Sequence, residues 1–395
     1  MPEELAKSFK GFHSIRIATM DASDKAFVHV SKMGFKTIAR RSMEGGKNRA
    51  VRSEVIVNGG VKLEFLSPMM PLTDNCEDFN LRESELKELT RLSRFLEKHG
   101  EGVIDVAFDV SECEPLYNWA VTHGAKSISP PTVYEDQYGK VIIAAVSTYG
   151  DISHTFIQSG KYYGPYLPGY DIVVSERNPA NEQFGRVHFV SVDHCVGNQN
   201  WGQMAGVCDY YRKVFGFHKF ISDDDYNVVT DYSALETTVM ASDNDVIKMP
   251  ITMPAKGKKM SQVEEYIKYN NGPGVQHIAL CTDNIFEAVA HMRERGVEFI
   301  SVPQEYYIDL KRRIAEYKGP AMKEDLAEIE RLNILVDFNK DGYLFQLFVK
   351  DHFASRPTLF YEIIQREGAN GFGGGNFRSL FESIEREQAK RGNLN

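Results

Sequence analysis

The segment Gly272-Pro273-Gly274-Val275-Gln276-His277 is followed by Gly296, 19 residues beyond His277, and then by the strand-like Glu298-Phe299-Ile300-Ser301. An earlier segment has the same layout. Gly100-Glu101-Gly102-Val103-Ile104-Asp105 is followed by Gly124, 19 residues beyond Asp105, and by Lys126-Ser127-Ile128-Ser129. Working outward, Phe12-His13-Ser14-Ile15-Arg16-Ile17 with Lys32-Met33-Gly34-Phe35 behind it matches Val192-Asp193-His194-Cys195-Val196 with Val214-Phe215-Gly216-Phe217. Likewise His154-Thr155-Phe156-Ile157-Gln158 matches Tyr361-Glu362-Ile363-Ile364-Gln365. A repeat of this length signals duplicated supersecondary units. Runs such as Val61-Lys62-Leu63-Glu64-Phe65 and Tyr343-Leu344-Phe345-Gln346-Leu347-Phe348 are β-branched, aromatic or alternating, as strands are. The stretch from Phe286 to Arg295 ends at a glycine, as helices prefer to.

The expected fold class is therefore α+β, with two tandem domains of paired βαβββ units. Residues 1–160 form the first, 161–185 a linker rich in Gly, Pro, Asn and Tyr, and 186–395 the second. The charged stretch from Arg312 to Arg331 is expected to be an amphipathic helix with a solvated face. Gly371-Phe372-Gly373-Gly374-Gly375-Asn376 looks superficially like a dinucleotide fingerprint, but only 19 residues follow Asn376, too few to complete a βαβ unit. It is better explained as a hinge carrying a terminal helix, Phe377 to Lys390, that gates a cavity.

Composition narrows the function. With 46 basic against 55 acidic residues and a net charge of -9, the chain has no surplus of cations to neutralise a polyphosphate, so nucleic acid is not an expected partner. No apolar run approaches the roughly 20 residues that span a bilayer, and the first twenty lack the pattern of a signal peptide, so no membrane is expected and the compartment is the cytoplasm. Five cysteines, far apart and without a CxxC pair, suit neither a disulfide framework nor a zinc knuckle.

Aligning the halves pairs His13 with His194, Asp105 with His277, and Thr155 with Glu362, so the second half alone has two histidines and a carboxylate at repeat positions. That donor set is the facial triad of non-haem Fe(II), which leaves positions open for substrate and dioxygen. One such histidine in a strand is more simply a satisfied polar side chain, but three at equivalent positions of a repeat are not. Burying Glu362 among Leu359-Phe360-Tyr361 and Ile363-Ile364 unpaired would cost several kcal/mol, and a cation removes that cost.

The chain resembles the 4-hydroxyphenylpyruvate dioxygenase family along nearly its whole length. The resemblance is carried by Ser31-Lys32-Met33-Gly34-Phe35, Leu167-Pro168-Gly169-Tyr170, Val192 to Gln199, Gly274 to Leu280, Arg356 to Arg366 and the block from Gly371 to Phe381. It implies open barrels of the vicinal-oxygen-chelate (glyoxalase/bleomycin-resistance) type, one Fe(II) per subunit on His194, His277 and Glu362, a 2-oxo acid substrate and O2, and a homodimer. It further implies that Gln276, Gln346 and Phe377 act at the reacting end, while Thr237, Thr252, Gln262, Phe348, Phe360 and Asn376 bind substrate. The implied reaction converts 4-hydroxyphenylpyruvate to homogentisate and CO2 in tyrosine breakdown. Two positions depart from the family pattern: Thr237 stands where Ser is usual and Thr252 where Asn is usual. Both belong to the phenol end of the pocket, so 4-hydroxymandelate-type benzylic hydroxylation is the alternative. A metal-free binding module and a zinc lyase or isomerase rank lower, because the triad is intact and no fourth ligand position presents itself.

Overall fold

The computed structural model describes residues 1–73, 79–174, 177–220, 227–230, 232–350 and 356–394, with the backbone alone for 227–229. The first half runs α1 (Glu3–Ala6), β1 (Phe9–Ala18), α2 (Ala22–Met33), β2 (Lys36–Arg41), β3 (Val51–Asn58), β4 (Val61–Pro68), α3 (Glu83–His99), β5 (Gly102–Val110), α4 (Cys113–Thr122), β6 (Ser127–Asp136), β7 (Gly139–Ser147) and β8 (Ser153–Gln158). After β9 (Asp171–Ile172) and α5 (Pro179–Phe184), the second half runs β10 (Ser191–Asn198), α6 (Met204–Phe215), β11 (His218–Lys219), β12 (Asn227–Val229), β13 (Ala234–Ala241), β14 (Lys248–Ala255), α7 (Gln262–Tyr269) and β15 (Gly274–Cys281). It continues with α8 (Ile285–Glu294), α9 (Gln304–Glu316), α10 (Leu326–Arg331), β16 (Leu335–Asn339), β17 (Gly342–Phe348), β18 (Phe360–Glu367) and α11 (Gly374–Lys390).

The strands form two sheets of like order, β6-β7-β8-β5-β1-β4-β3-β2-β9 and β11-β13-β14-β10-β15-β18-β17-β16. In each, a central antiparallel pair (β1 with β5, β10 with β15) is flanked by parallel neighbours, the signature of two βαβββ units joined edge to edge. The linker is part of this architecture, since β9 pairs with β2 and adds an edge strand to the first sheet. The stretch from Arg312 to Arg331 differs from the single helix expected. It belongs to two helices, α9 and α10, and Gly319-Pro320 lies between them, where the proline ring disfavours helix in the residue before it.

The halves pack back to back across one apolar core, in which Phe9 meets Phe217 edge to face at 5.2 Å. Two buried hydrogen bonds cross this interface at pseudo-symmetric positions. His29 on α2 reaches the Tyr361 hydroxyl on β18 at 2.9 Å, and Tyr211 on α6 reaches His154 on β8 at 2.7 Å, so the repeat swaps histidine and tyrosine between equivalent sites. In each histidine Nδ1 faces a backbone carbonyl, of Lys25 or Val106, so Nδ1–H donates and Nε2 accepts from the phenol. Burial pushes both imidazoles down to about 4, and His13 down to about 3. Each is neutral in the folded protein. The unfolded chain takes up these protons near the ordinary value of about 6.5, so between about 6.5 and 4 it binds more protons than the fold does, and stability falls as pH falls. Urea unfolding is expected to show that decline. Tyr211→Phe or Tyr361→Phe, which leaves a buried Nε2 without its donor, is expected to cost a further roughly 1–3 kcal/mol at neutral pH.

Candidate metal centre and substrate cavity

The bulges in the second sheet explain how three distant residues meet. Along β10 the pairing with β15 steps from Val192↔Leu280 to His194↔Ala279, so Asp193 is the extra residue. It steps again from Val196↔His277 to Gly197↔Val275, which makes Gln276 the extra residue on β15. A bulge re-aims side chains, and here each bulged residue also hydrogen-bonds the histidine that follows it. Asp193 Oδ1 is 2.7 Å from His194 Nδ1, and Gln276 Oε1 is 3.1 Å from His277 Nδ1. With Nδ1–H donating to these oxygens, both rings turn Nε2 inward. Parallel pairing of β15 with β18 sets Ala279 opposite Glu362, and Glu362 Oε2 lies 3.3 Å from each Nε2.

That convergence is the test of whether a cation fits. Two imidazole nitrogens and a carboxylate oxygen converge, with their ligand atoms all within 4.8 Å, so that Glu362 is paired only by a proton shared with a ring or by a cation in its place. The other oxygen of Glu362, Oε1, is buried with no partner among the described residues. Burial resists ionisation of Glu362, but the two histidines outweigh it and hold the carboxyl below its ordinary value. Burial opposes charge on His194, yet Asp193 and Glu362 raise it from its ordinary value, whereas burial prevails at His277 and lowers it. Two nitrogens and one oxygen with open positions suit a divalent first-row metal.

Asp193 is itself held by Arg366, whose Nε and terminal nitrogen contact its two oxygens at 2.7 and 2.8 Å. Burial disfavours the charged form of Asp193, but Arg366 and His194 keep it well below the usual carboxylate range. A carboxylate that orients a ligating histidine is a recurrent support of metal sites. Sequence reasoning gave neither residue a role, although the position of Asp193 immediately before a ligand was a usable signal.

The repeat alignment needs one correction. On β1 the pairing steps from Phe12↔Phe108 to Ser14↔Ala107, so His13 is the bulged residue there and is equivalent to Asp193, while Ser14 is equivalent to His194. Asp105 and Thr155 do correspond to His277 and Glu362. In the first half hydroxyls meet one oxygen of Asp105, while burial raises its carboxyl and its Oδ2 has no partner among the described residues. Thr155 donates to Asp105 at 2.8 Å, Ser153 also donates to it, and Arg16 and Arg91 supply positive charge nearby.

The triad opens into a cavity formed by β10, β13, β14, β15, β17, β18, α7 and α11. Thr237, Thr252, Gln262, Gln276, Gln346, Phe348, Phe360 and Phe377 all line it beside the three candidate ligands. Phe360 stacks on the His277 ring at 4.9 Å. The two departing threonines are directly paired across β13 and β14, and their hydroxyls are 3.0 Å apart. Asn376 is placed elsewhere. It is fully buried in the first turn of α11 and accepts from the Tyr306 hydroxyl at 2.7 Å, which ties that turn to α9. Phe372, Leu380, Phe381 and Ile384 also line the cavity and were not anticipated. The last three, with Phe377, follow the i, i+3, i+4, i+7 spacing of one helix face.

Residues 191–347 match the family model described as the Glyoxalase/Bleomycin resistance protein/Dioxygenase superfamily. The chain is 48% identical to a 4-hydroxyphenylpyruvate dioxygenase of Aspergillus fumigatus over 98% of this chain and 94% of that one. It is 45% identical to the Yarrowia lipolytica protein of the same name, again over 98% and 94%. Among solved structures, a mutant 4-hydroxymandelate synthase from Streptomyces coelicolor superposes with a TM-score of 0.80 at 25% identity, covering 96% of this chain and 99% of that one. The fold and site thus define a vicinal-oxygen-chelate dioxygenase. The chain belongs to the 4-hydroxyphenylpyruvate dioxygenase family. Among the described residues no helix is long and apolar enough to cross a membrane.

The site predicts a graded response to mutation. Alanine at His194, His277 or Glu362 is expected to abolish retention of Fe(II) in an anaerobic equilibrium-dialysis assay. Asp193→Asn or Arg366→Ala, which loosen only the His194 ring, are expected to weaken it by about 10–100-fold. His13→Ala is expected to leave it unchanged.

Proposed function

We propose that the protein is a non-haem Fe(II) 2-oxo acid dioxygenase that converts 4-hydroxyphenylpyruvate and O2 to homogentisate and CO2. The observation that carries this reading is the convergence of His194, His277 and Glu362 at the floor of a cavity walled by phenylalanines and amides. Fe(II) held there supplies chelation of the 2-oxo acid and activation of dioxygen. The chain supplies the rest. Gln346 is fully buried with both ends of its amide unpartnered among the described residues, so its N–H groups are available to the oxo acid, as are those of Gln276. Phe360, fixed against His277, and Phe377, brought by α11, hold the two faces of the substrate ring, and Phe348 limits its sideways movement. Thr237, Thr252 and Gln262 meet the phenol hydroxyl.

Water exclusion falls to α11. Its face of Phe377, Leu380, Phe381 and Ile384 closes the cavity, while Glu385 accepts from Thr230 and Ser233 at 2.6 and 2.5 Å and Arg391 pairs with Glu265 at 2.7 Å. Those polar contacts hold the helix down at its far end, and at its near end the Gly375 N–H donates to Asp337 at 2.9 Å and Asn376 accepts from Tyr306 at 2.7 Å.

Benzylic hydroxylation to 4-hydroxymandelate is the second reading, favoured by the threonine pair and by the structural likeness to a hydroxymandelate synthase. One assay separates the two. After anaerobic loading with Fe(II), addition of 4-hydroxyphenylpyruvate and air is expected to give homogentisate, identified by mass and retention time, with CO2 and aromatic product in equal amounts. Restoring Ser at 237 and Asn at 252 together is expected to alter binding by about 1 kcal/mol per changed hydrogen bond without changing the product. The two positions must be changed together because they touch. Ending the chain after Gly375 is expected to keep the metal but release CO2 in excess of aromatic product. A wild type that makes 4-hydroxymandelate, with the double change raising the homogentisate share, establishes the second reading instead.

A further inference from the structure

One side chain is shared between the metal site and the gate. Arg366 on β18 presents its N–H donors in one rigid plane. Along one edge, Nε and Nη2 donate to the two oxygens of Asp193 at 2.7 and 2.8 Å, and Asp193 in turn accepts from His194 Nδ1. Nη1 of the same guanidinium faces the chain that leads into α11, donating to the carbonyl of Ala369 at 3.2 Å and to that of Gly371 at 2.5 Å. Phe372 adds a second link. The guanidinium carbon lies 5.6 Å from the centre of its ring, which meets the His194 ring edge to face at 5.1 Å. One residue further on, Gly373 sits so close to Gln346 that an added Cβ would collide with the amide oxygen. A separate pair of contacts holds the end of this run: Asp337 accepts from the Gly375 N–H, and Tyr306 donates to Asn376. Neither Asp337 nor Asn376 lines the substrate cavity.

We propose that Arg366 is a positioning residue that couples metal binding to the seating of the gate: a filled metal site holds the run from Ala369 to Gly373 in place, and a seated gate tightens the metal site. The inference rests on the proposed function, which places Fe(II) on His194. Its physical basis is shared ordering. A free arginine side chain samples many rotamers, and fixing one of them costs conformational entropy. A metal on His194 Nε2 fixes the ring, the ring fixes Asp193 through Nδ1–H, and Asp193 fixes the guanidinium with Nη1 already aimed at two carbonyls. The gate then seats against an ordered partner. By reciprocity, a gate that seats first orders Arg366 and Asp193 for the metal. The Arg366 side chain is only 16% exposed. Lifting the run would therefore strip Nη1 of both acceptors where water replaces them poorly, and would take Phe372 off the His194 ring. The gate thereby closes over a loaded site in preference to an empty one.

The test is a mutant cycle read by metal retention rather than by turnover. Asp337→Ala combined with Asn376→Ala loosens the gate without altering a ligand or a cavity residue. In anaerobic equilibrium dialysis this pair is expected to weaken Fe(II) binding about 5–10-fold when Arg366 is present, the low end of couplings between linked sites. In an Arg366→Lys background, where a single ammonium keeps charge beside Asp193 but cannot span both Asp193 and the gate, the pair is expected to cause no further loss. Asp193→Asn cuts the same link at its other end and serves as the background if the lysine form does not fold. The converse measurement is hydrogen exchange. Saturating Fe(II) is expected to slow exchange of the amides from Gly371 to Phe377 by a comparable factor in the wild type and to leave it unchanged in Arg366→Lys. Fe(II) affinity indifferent to the gate pair, an equal loss in the Arg366→Lys background, or exchange of this run that ignores Fe(II) overturns the inference. Failure of the underlying reading is distinguishable: the wild type would then retain no Fe(II) and the inference would fall with it, whereas retention that ignores the gate overturns the coupling alone.

Discussion

The interaction on which the rest depends is the meeting of Glu362 Oε2 with two imidazole nitrogens, each 3.3 Å away. A buried carboxylate is tolerated only when it is paired, hydrogen-bonded or bound to a metal. Here the two bulges that turn His194 and His277 inward also commit their Nδ1 protons to Asp193 and Gln276, so a ring satisfies Glu362 only by taking up a second proton, whose place a metal ion can take. The backbone irregularity and the metal chemistry are one feature. Removing either bulge would return the following histidine to the alternation of an ordinary strand and dissolve the site.

The first half shows what the same backbone does when the residues are complementary. Its bulge at His13 is retained, and the bulged residue again contacts its neighbour, with His13 Nδ1 3.0 Å from Ser14 Oγ. From there a closed network of Tyr166, Tyr170, Glu64, Arg16, Arg41 and Glu88 occupies that face of the sheet. Burial opposes the ionisation of Glu64, but the two arginines and the hydroxyls around it hold it down to about 2. The charges of this network are neutralised by the chain itself. In the second half that task is left to a ligand, and the space over the triad is left to a substrate.

Much of this was legible in the sequence, because a duplicated fold displays the same pattern twice and the functional half is marked by where it differs. The three ligand positions and the two threonines could be named before any geometry was known. What could not be read was the consequence of bulges. An extra residue in a strand shifts which neighbour faces the partner, so matching histidine to histidine across the repeat paired His13 with His194 when the ladder pairs Ser14 with it. Asn376 is chemically suited to bind a substrate, and only the packing of α11 on Tyr306 reveals that its Oδ1 is engaged while its Nδ2 has no partner among the described residues.

The most direct test of the account is to locate the metal. Anomalous diffraction at the iron edge from crystals grown anaerobically with Fe(II) is predicted to show one site per chain, bound by His194 Nε2, His277 Nε2 and Glu362, with Asp193 and Gln276 still on the Nδ1 atoms and no iron beside Asp105. Iron found in the first half, or a second-half triad closed by mutual hydrogen bonds under saturating Fe(II), would contradict it.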